Sequence, residues 1–179
     1  MKHLSVHEYL AYPETMRPME LVYGVVREPP APFLRHQVVV FRMASALHDH
    51  VQRQGLGDVY MSPVDVVLDR ERALVLQPDI VFIAAERSHI ATDRIWGAPD
   101  LVVEVLSPGT ERRDRTQKVA WYREYGVREC WLVDVTRRRI EVIHTRAQRR
   151  SPRAICSDQQ PLRSIILPDL ELVAGTLFD

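Results

Sequence analysis

Three ionisable residues stand on apolar backgrounds. Asp79 lies in LVLQPDIVFI, Glu104 in PDLVVEVLSP and Lys118 in DRTQKVAWYREYG. The two acids interrupt runs that read as buried strands, where an ionised carboxylate is costly unless a cation or metal offsets it. Two carboxylates converging on one point make a hard-oxygen site suited to Mg²⁺ or Mn²⁺. Such an ion lowers the pKa of a bound water and clamps a phosphoryl oxygen. Lys118 is one of two lysines, with Lys2, in a chain carrying 24 basic Lys and Arg residues. A compact ammonium in a chain that otherwise uses arginine suits orienting a water or stabilising charge on a phosphate.

Each residue has an ordinary alternative. Glu104 fits a buried acid salt-bridged to an arginine. Asp79 fits an Asx-type turn after Pro78, and Lys118 a solvated i, i+4 partner of Asp114. The coincidence of all three favours a site.

The elements that must position them follow from periodicity. Leu101, Val103 and Val105 alternate with Val102, Glu104 and Leu106, which predicts a strand covered on both faces. Pro78 cannot donate to a ladder, so the sheet should be irregular or at an edge there. Residues 111–125 predict a helix stopped by Gly126. At 100° per residue Asp114, Lys118, Trp121, Tyr122 and Tyr125 share its inward stripe, with Arg112, Arg115 and Arg123 elsewhere. Residues 5–12 predict a short helix capped by Ser5. Residues 19–27 predict a strand with a bulge or turn at Gly24, ended by Pro29, Pro30 and Pro32, and residues 35–53 a helix closed by Gly55. Segments 58–69 and 74–83 read as a hairpin across DRER, and 129–135 with 139–145 as a second strand pair. An Arg-rich loop follows, and the tail from 163 to 178 offers one or two short strands or a final turn. The strand–helix–strand crossover makes 100–106 and 129–135 parallel neighbours. The fold class is α/β with a mixed central sheet.

At 179 residues one domain is expected, and the net charge of zero supplies no global field towards nucleic acid or lipid. Residues 137–153 hold seven Arg and one Glu. That run suits contacts to phosphates, or equally an exposed hairpin and loop. Arg112, Arg113 and Arg115 are better placed to hold a scissile phosphate, partly offset by Glu111 and Asp114. Cys130 and Cys156 lie in no CxxC or Cys/His cluster, which excludes a recognisable zinc site or disulfide framework. No N-terminal h-region and no run of 18 apolar residues is present, so a soluble, cytoplasmic protein without membrane contact is expected.

The strings ELVYG, SPVDVVL, QPDIVF, GAPDLVVEVLSP, RRDRTQK, YREYGVRECWLVD and LPDLEL occur in order from about residue 5 to 178. In this run the chain resembles the Uma-type restriction endonucleases, a branch of the PD-(D/E)xK nuclease superfamily. The resemblance implies a restriction-endonuclease-like core, a mixed sheet flanked by helices. It also implies an Mg²⁺-dependent phosphodiesterase acting on DNA, as a homodimer. Carried over by residue, Asp79 matches the PD acid and Glu104 the second acid, together the metal ligands. The superfamily pattern puts lysine at position 106, where this chain has Leu106; the family places its basic residue on the following helix, where Lys118 stands. Glu20 matches an early acid, an accessory ligand or water-positioning group. His36 matches a position often polar in the family, and Gln77 borders the site. Two other readings stay open: a nuclease fold that binds without cleaving, and a phosphodiesterase acting on RNA or a small nucleotide.

Overall fold

Prolines, glycines and caps set the element boundaries in the computed structural model, which describes residues 3–13, 15–146 and 153–179. Helix α1 (Val6–Leu10) opens on a capping box: Glu8 N–H donates to Ser5 Oγ at 3.2 Å, and Ser5 N–H donates to the Glu8 carboxylate at 2.8 Å. Strands β1 (Glu20–Val22) and β2 (Val25–Arg27) form a hairpin. Its turn residues Tyr23 and Gly24 both take positive φ, as two-residue hairpin turns demand. After the proline run, α2 (Leu34–Gln54) ends on left-handed Gly55.

Four short strands follow: β3 (Gly57–Met61), β4 (Val66–Asp69), β5 (Leu74–Leu76) and β6 (Ile80–Ala84). Gly57 has φ +143°, and a Cβ there would lie 2.1 Å from the Ile83 carbonyl oxygen, so only glycine fits this approach. A 3₁₀ turn (Ala85–Ile90) leads to β7 (Ile95–Trp96) and then β8 (Leu101–Leu106). The next helix has three parts: α3 (Glu111–Arg113), a π-turn (Asp114–Lys118) and α4 (Val119–Tyr125), closed by left-handed Gly126. Strands β9 (Glu129–Asp134), β10 (Arg139–His144) and β11 (Arg153–Ser157) precede a 3₁₀ turn at Ala174–Leu177.

The strands build two sheets, β2-β1-β5-β4-β7 and β11-β10-β9-β8-β6-β3. The hairpin expected over 58–69 and 74–83 is split between them. Its turn-proximal halves, β4 and β5, pair in the smaller sheet, and its distal halves, β3 and β6, pair in the larger one. The breaks fall beside Pro63 and Pro78, whose missing N–H groups cannot continue a ladder. The crossover pairing is as read from the sequence: β8 and β9 run parallel, Leu101 opposite Glu129, and β9–β10 is antiparallel. Strand β11 adds to β10 where only a loop was expected. In the tail, the expected short strands reduce to one bridge, Pro161 with Val173, followed by the 3₁₀ turn.

The larger sheet is covered on both faces. On one, Val39, Met43, Leu47 and Val51 of α2 pack on Leu101, Val103, Val105 and Trp131, joined by Leu162, Leu167, Leu170 and Leu177 of the tail. On the other, Val102, Leu106 and Leu132 meet Val119, Trp121 and Tyr122 of α4 and Val66, Leu74 and Leu76 of the smaller sheet. Helix α1 closes the outer face of the smaller sheet over Leu21, Val67 and Val75. No helix among the described residues is long and apolar enough to cross a membrane.

Candidate active site

The gap between the two sheets is where the ionisable residues meet. Pro78 ends the smaller sheet's strand and Asp79 opens the larger sheet's, so Asp79 sits at the bend. Its strand pairs antiparallel with β8, Ile80 opposite Val103 and Val81 opposite Val102. Extended by one residue, that register sets Asp79 across from Glu104, on one face. The Val105 N–H donates to Asp79 Oδ2 at 2.7 Å and tightens that corner. Glu20 arrives from the smaller sheet on β1, next to the Gln77 end of β5. His36, in the first turn of α2, places Nε2 3.3 Å from Asp79 Oδ2.

The three-part helix supplies the cations. Lys118 Nζ donates to both oxygens of Glu104, at 2.9 and 3.0 Å, and lies 3.0 Å from Glu20 Oε1. Asp114 Oδ1 is 3.7 Å from the same ammonium. Tyr122 O–H donates a short hydrogen bond to Glu104 Oε1. Arg113 pairs with Glu20 Oε2 at 2.6 Å and stacks over Trp121. The π-turn makes this possible. A π-bulge widens one helical turn, and here Asp114 and Lys118 both end up buried on the cleft side while the exposed Thr116 and Gln117 carry the bulge outward.

Electrostatics follow from burial and crowding. Burial, then the neighbouring Asp114, Asp79 and Glu20, push the Glu104 carboxyl up to about 8 against the pull of Lys118. Burial and the other acids raise Asp114 too, against Lys118 and a bond from Thr110. For Glu20, burial acts upward, but Lys118 and Arg113 prevail and hold it below the usual glutamate range. Lys118 is held above the ordinary lysine value because Glu104, Glu20 and Asp114 outweigh its desolvation. Asp79 raises His36 in the same way, against burial.

The profile of the Uma2 family, described as "Putative restriction endonuclease", matches residues 6–175. The chain belongs to the Uma2 family. A solved structure titled as a "putative nuclease" from Anabaena variabilis shares the fold at 19% identity, TM-score 0.81, covering 98% of this chain and 97% of that one. The comparison with curated proteins returns no match. The family's description makes nucleic acid the substrate class.

In this Uma2 chain the expected residues Glu20, His36, Gln77, Asp79, Glu104 and Lys118 all line one cleft of about 80 Å³. Of the three arginines expected to hold phosphate, only Arg113 lines it. Arg115 is drawn away by Glu111 (2.8 Å), Glu141 (2.6 Å) and Asp134 (3.0 Å), and Arg112 is exposed outside the cleft. Residues 147–152 of the Arg-rich run lie outside the described residues. Two participants were not named as site residues from the sequence: Asp114, which appeared there only as a helix partner of Lys118, and Tyr122. Both sit one helical turn from Lys118, the signal that would have found them.

The donor set fits a divalent ion. Four acids, Glu20, Asp79, Glu104 and Asp114, face two permanent cations, Arg113 and Lys118, in the cleft. The donors are hard oxygens, and once Glu104 gives up its proton the acids outnumber these two cations. Among the described residues no group of three or more His, Cys, Asp or Glu converges to hold a metal alone. Mg²⁺ needs no such cage: it commonly takes one or two carboxylates and fills its shell with water and substrate phosphate.

Proposed function

We propose that the protein is a metal-dependent endonuclease that hydrolyses phosphodiester bonds of DNA, acting as a homodimer on the two-fold-related strands of the duplex. The observation that carries this reading is Lys118 Nζ held within 3.0 Å of both Glu104 and Glu20 in the cleft that Asp79 lines. Asp79 and Glu104 are the residues that would hold Mg²⁺ or Mn²⁺. When bound, the ion supplies Lewis-acid activation of a water and neutralises phosphate charge.

The remaining work falls to the chain's own groups. Lys118 offers a fixed ammonium beside Glu104, placed to orient the attacking water and to face the charge that builds on the phosphorus oxygens. Its attachment to Glu20, Glu104 and Asp114 holds it there before substrate arrives. Glu20 holds both Lys118 and Arg113. Arg113 is the arginine placed to contact the scissile phosphate. Tyr122 fixes the Glu104 carboxylate. The His36 ring fixes the Asp79 carboxylate from the α2 side.

A second reading draws on one observation. Lys118 and Tyr122 already engage Glu104, so a nuclease fold that binds nucleic acid without cutting it also fits. Supercoiled plasmid, single-stranded DNA and RNA incubated with Mg²⁺, Mn²⁺ or chelator separate the two. Metal-dependent nicking lost in Glu104→Gln and Lys118→Met supports the nuclease. Cleavage persisting in both variants rejects the site. Retained binding with no cleavage selects the second reading, and cleavage of RNA alone moves the substrate.

A further inference from the structure

A larger cavity, of about 530 Å³, lies next to the cleft. Gln77 lines both. Its backbone N–H reaches Glu20 Oε1 at 3.3 Å on the cleft side, and its side-chain amide donates to Asp65 Oδ1 at 2.9 Å on the other. One residue is therefore the partition between the acidic cleft and the second cavity.

The second cavity has the chemistry of a base pocket. Tyr12, 47% exposed, and Met16, 82% exposed, present apolar surface at its mouth, where neither side chain is needed by a core cluster. Tyr9 backs Tyr12 at a ring separation of 6.4 Å. The charged groups are Asp65, Asp93 and Arg94. Arg94 is already shared between the two acids, at 3.3 Å to Asp65 and 2.8 Å to Asp93. Asp65 Oδ1 already accepts from Gln77 and Tyr9, and Asp93 Oδ1 from Thr92 and Trp96. The Oδ2 atoms beside Arg94 are therefore the acceptors left for an amino group, while two carboxylates against one guanidinium repel a phosphate. A flat, uncharged ring with an exocyclic amine satisfies both the apolar mouth and the acidic wall. The size lies within the range of small-molecule sites.

We propose that this cavity is a subsite for an unpaired nucleobase bearing an exocyclic amine, belonging to a nucleotide close to the phosphate in the cleft. The inference rests on the nuclease reading above. A base enters such a site only from single-stranded DNA or after leaving the duplex stack. Stacking on Tyr12 supplies affinity that tolerates any ring, and Asp65 disfavours thymine, whose single N–H donor sits between two carbonyl oxygens that repel the carboxylate.

The test measures binding by fluorescence anisotropy in chelator, with short single-stranded oligonucleotides of cytosine, adenine or thymine and matched strands carrying one central abasic site. Wild type should bind the cytosine and adenine strands more tightly than thymine and lose about tenfold in affinity on the abasic strand. Tyr12→Ala, an exposed position whose loss leaves the core intact, should bind the intact strand about tenfold more weakly and be indifferent to the abasic site. Met16→Ala should show a smaller loss of the same kind. Equal abasic penalties in wild type and Tyr12→Ala overturn the subsite, as does wild-type affinity in that variant. A plasmid-nicking assay run alongside separates the two readings. Nicking with no Tyr12 effect removes the base pocket alone, whereas neither nicking nor binding removes both.

Discussion

Lys118 and Glu104 illustrate how a buried pair is set by its neighbours. Removing one partner of a buried pair leaves the other charge uncompensated, so Lys118→Met should cost about 3 kcal/mol near pH 9, where Glu104 is ionised. The penalty should shrink near pH 5, where Glu104 carries its proton and has less need of the ammonium. Urea unfolding at the two pH values checks this, and an equal cost at both would mean that Glu104 does not change its charge between them. The wild-type carboxyl has its own signature. Because folding raises its pKa, the folded chain binds that proton more tightly than the unfolded one. The stability linked to Glu104 is then full at low pH and lost as pH climbs from the ordinary glutamate range through about 8. Glu20 has the opposite sign, since its lowered pKa adds stability above the usual range. Comparison with Glu104→Gln isolates the first effect. Wild-type stability minus variant stability should fall by about 2 to 4 kcal/mol between about pH 5 and 8.5. Metal binding should likewise release close to one proton near pH 7 and less above 8, read by calorimetry in buffers of different ionisation enthalpy.

The π-turn is the element on which the constellation depends. Trp121 and Tyr122 anchor α4 in the core below it, so its extra residue sets the rotation of everything above. Deleting exposed Gln117 should restore α spacing, which turns Asp114 and Arg113 by about 30° relative to Lys118 and draws them one residue closer to it. The variant should keep its circular dichroism spectrum, lose the Arg113–Glu20 pair, and nick plasmid at least about 100-fold more slowly than wild type. Unchanged nicking would show that α3 does not position the site. The same helix marks where sequence reasoning succeeds and where it stops. The stripe through Asp114, Lys118 and Tyr122 was legible because apolar spacing turned it inward. The π-turn was not, because periodicity over one helical turn cannot distinguish four residues from five. Strand β8 and helix α2 were legible from their apolar patterns. The division of the 58–83 hairpin between two sheets was not, since alternation reports a buried face and not which sheet owns it. Pro63 and Pro78 were the visible marks of that division. Asp79 and Glu104 stood out because charge in an apolar run is expensive, and Lys118 because lysine is rare in this chain. Arg115 misled because its competing partners Asp134 and Glu141 are distant in sequence and come close only through β9 and β10.

Across the whole molecule, at least nine of the 22 arginines are spent on the protein's own carboxylates. Arg72, Arg87, Arg94, Arg113, Arg115, Arg128, Arg137, Arg138 and Arg139 each pair with a carboxylate. With zero net charge and those nine neutralised in place, no net cationic field draws in a phosphate backbone. Duplex binding driven by many phosphate contacts shows a steep salt dependence, roughly 0.9 in log–log slope per contact. This protein should instead show a slope of magnitude about 4 or less per protomer, measured by anisotropy in chelator between about 50 and 300 mM NaCl. Tight binding would then have to come from the cleft and its neighbouring cavity, where contacts are specific and few. A slope near 8 would contradict this, since it would require arginines from outside the cleft to gather on the DNA backbone. Arg115→Gln decides between the cases. It leaves the cleft intact, so a shallow-slope protein should bind DNA as before and lose only the stability that Arg115 lends to Asp134 and Glu141. A protein that transfers its arginines to phosphate should lose both stability and about one unit of slope.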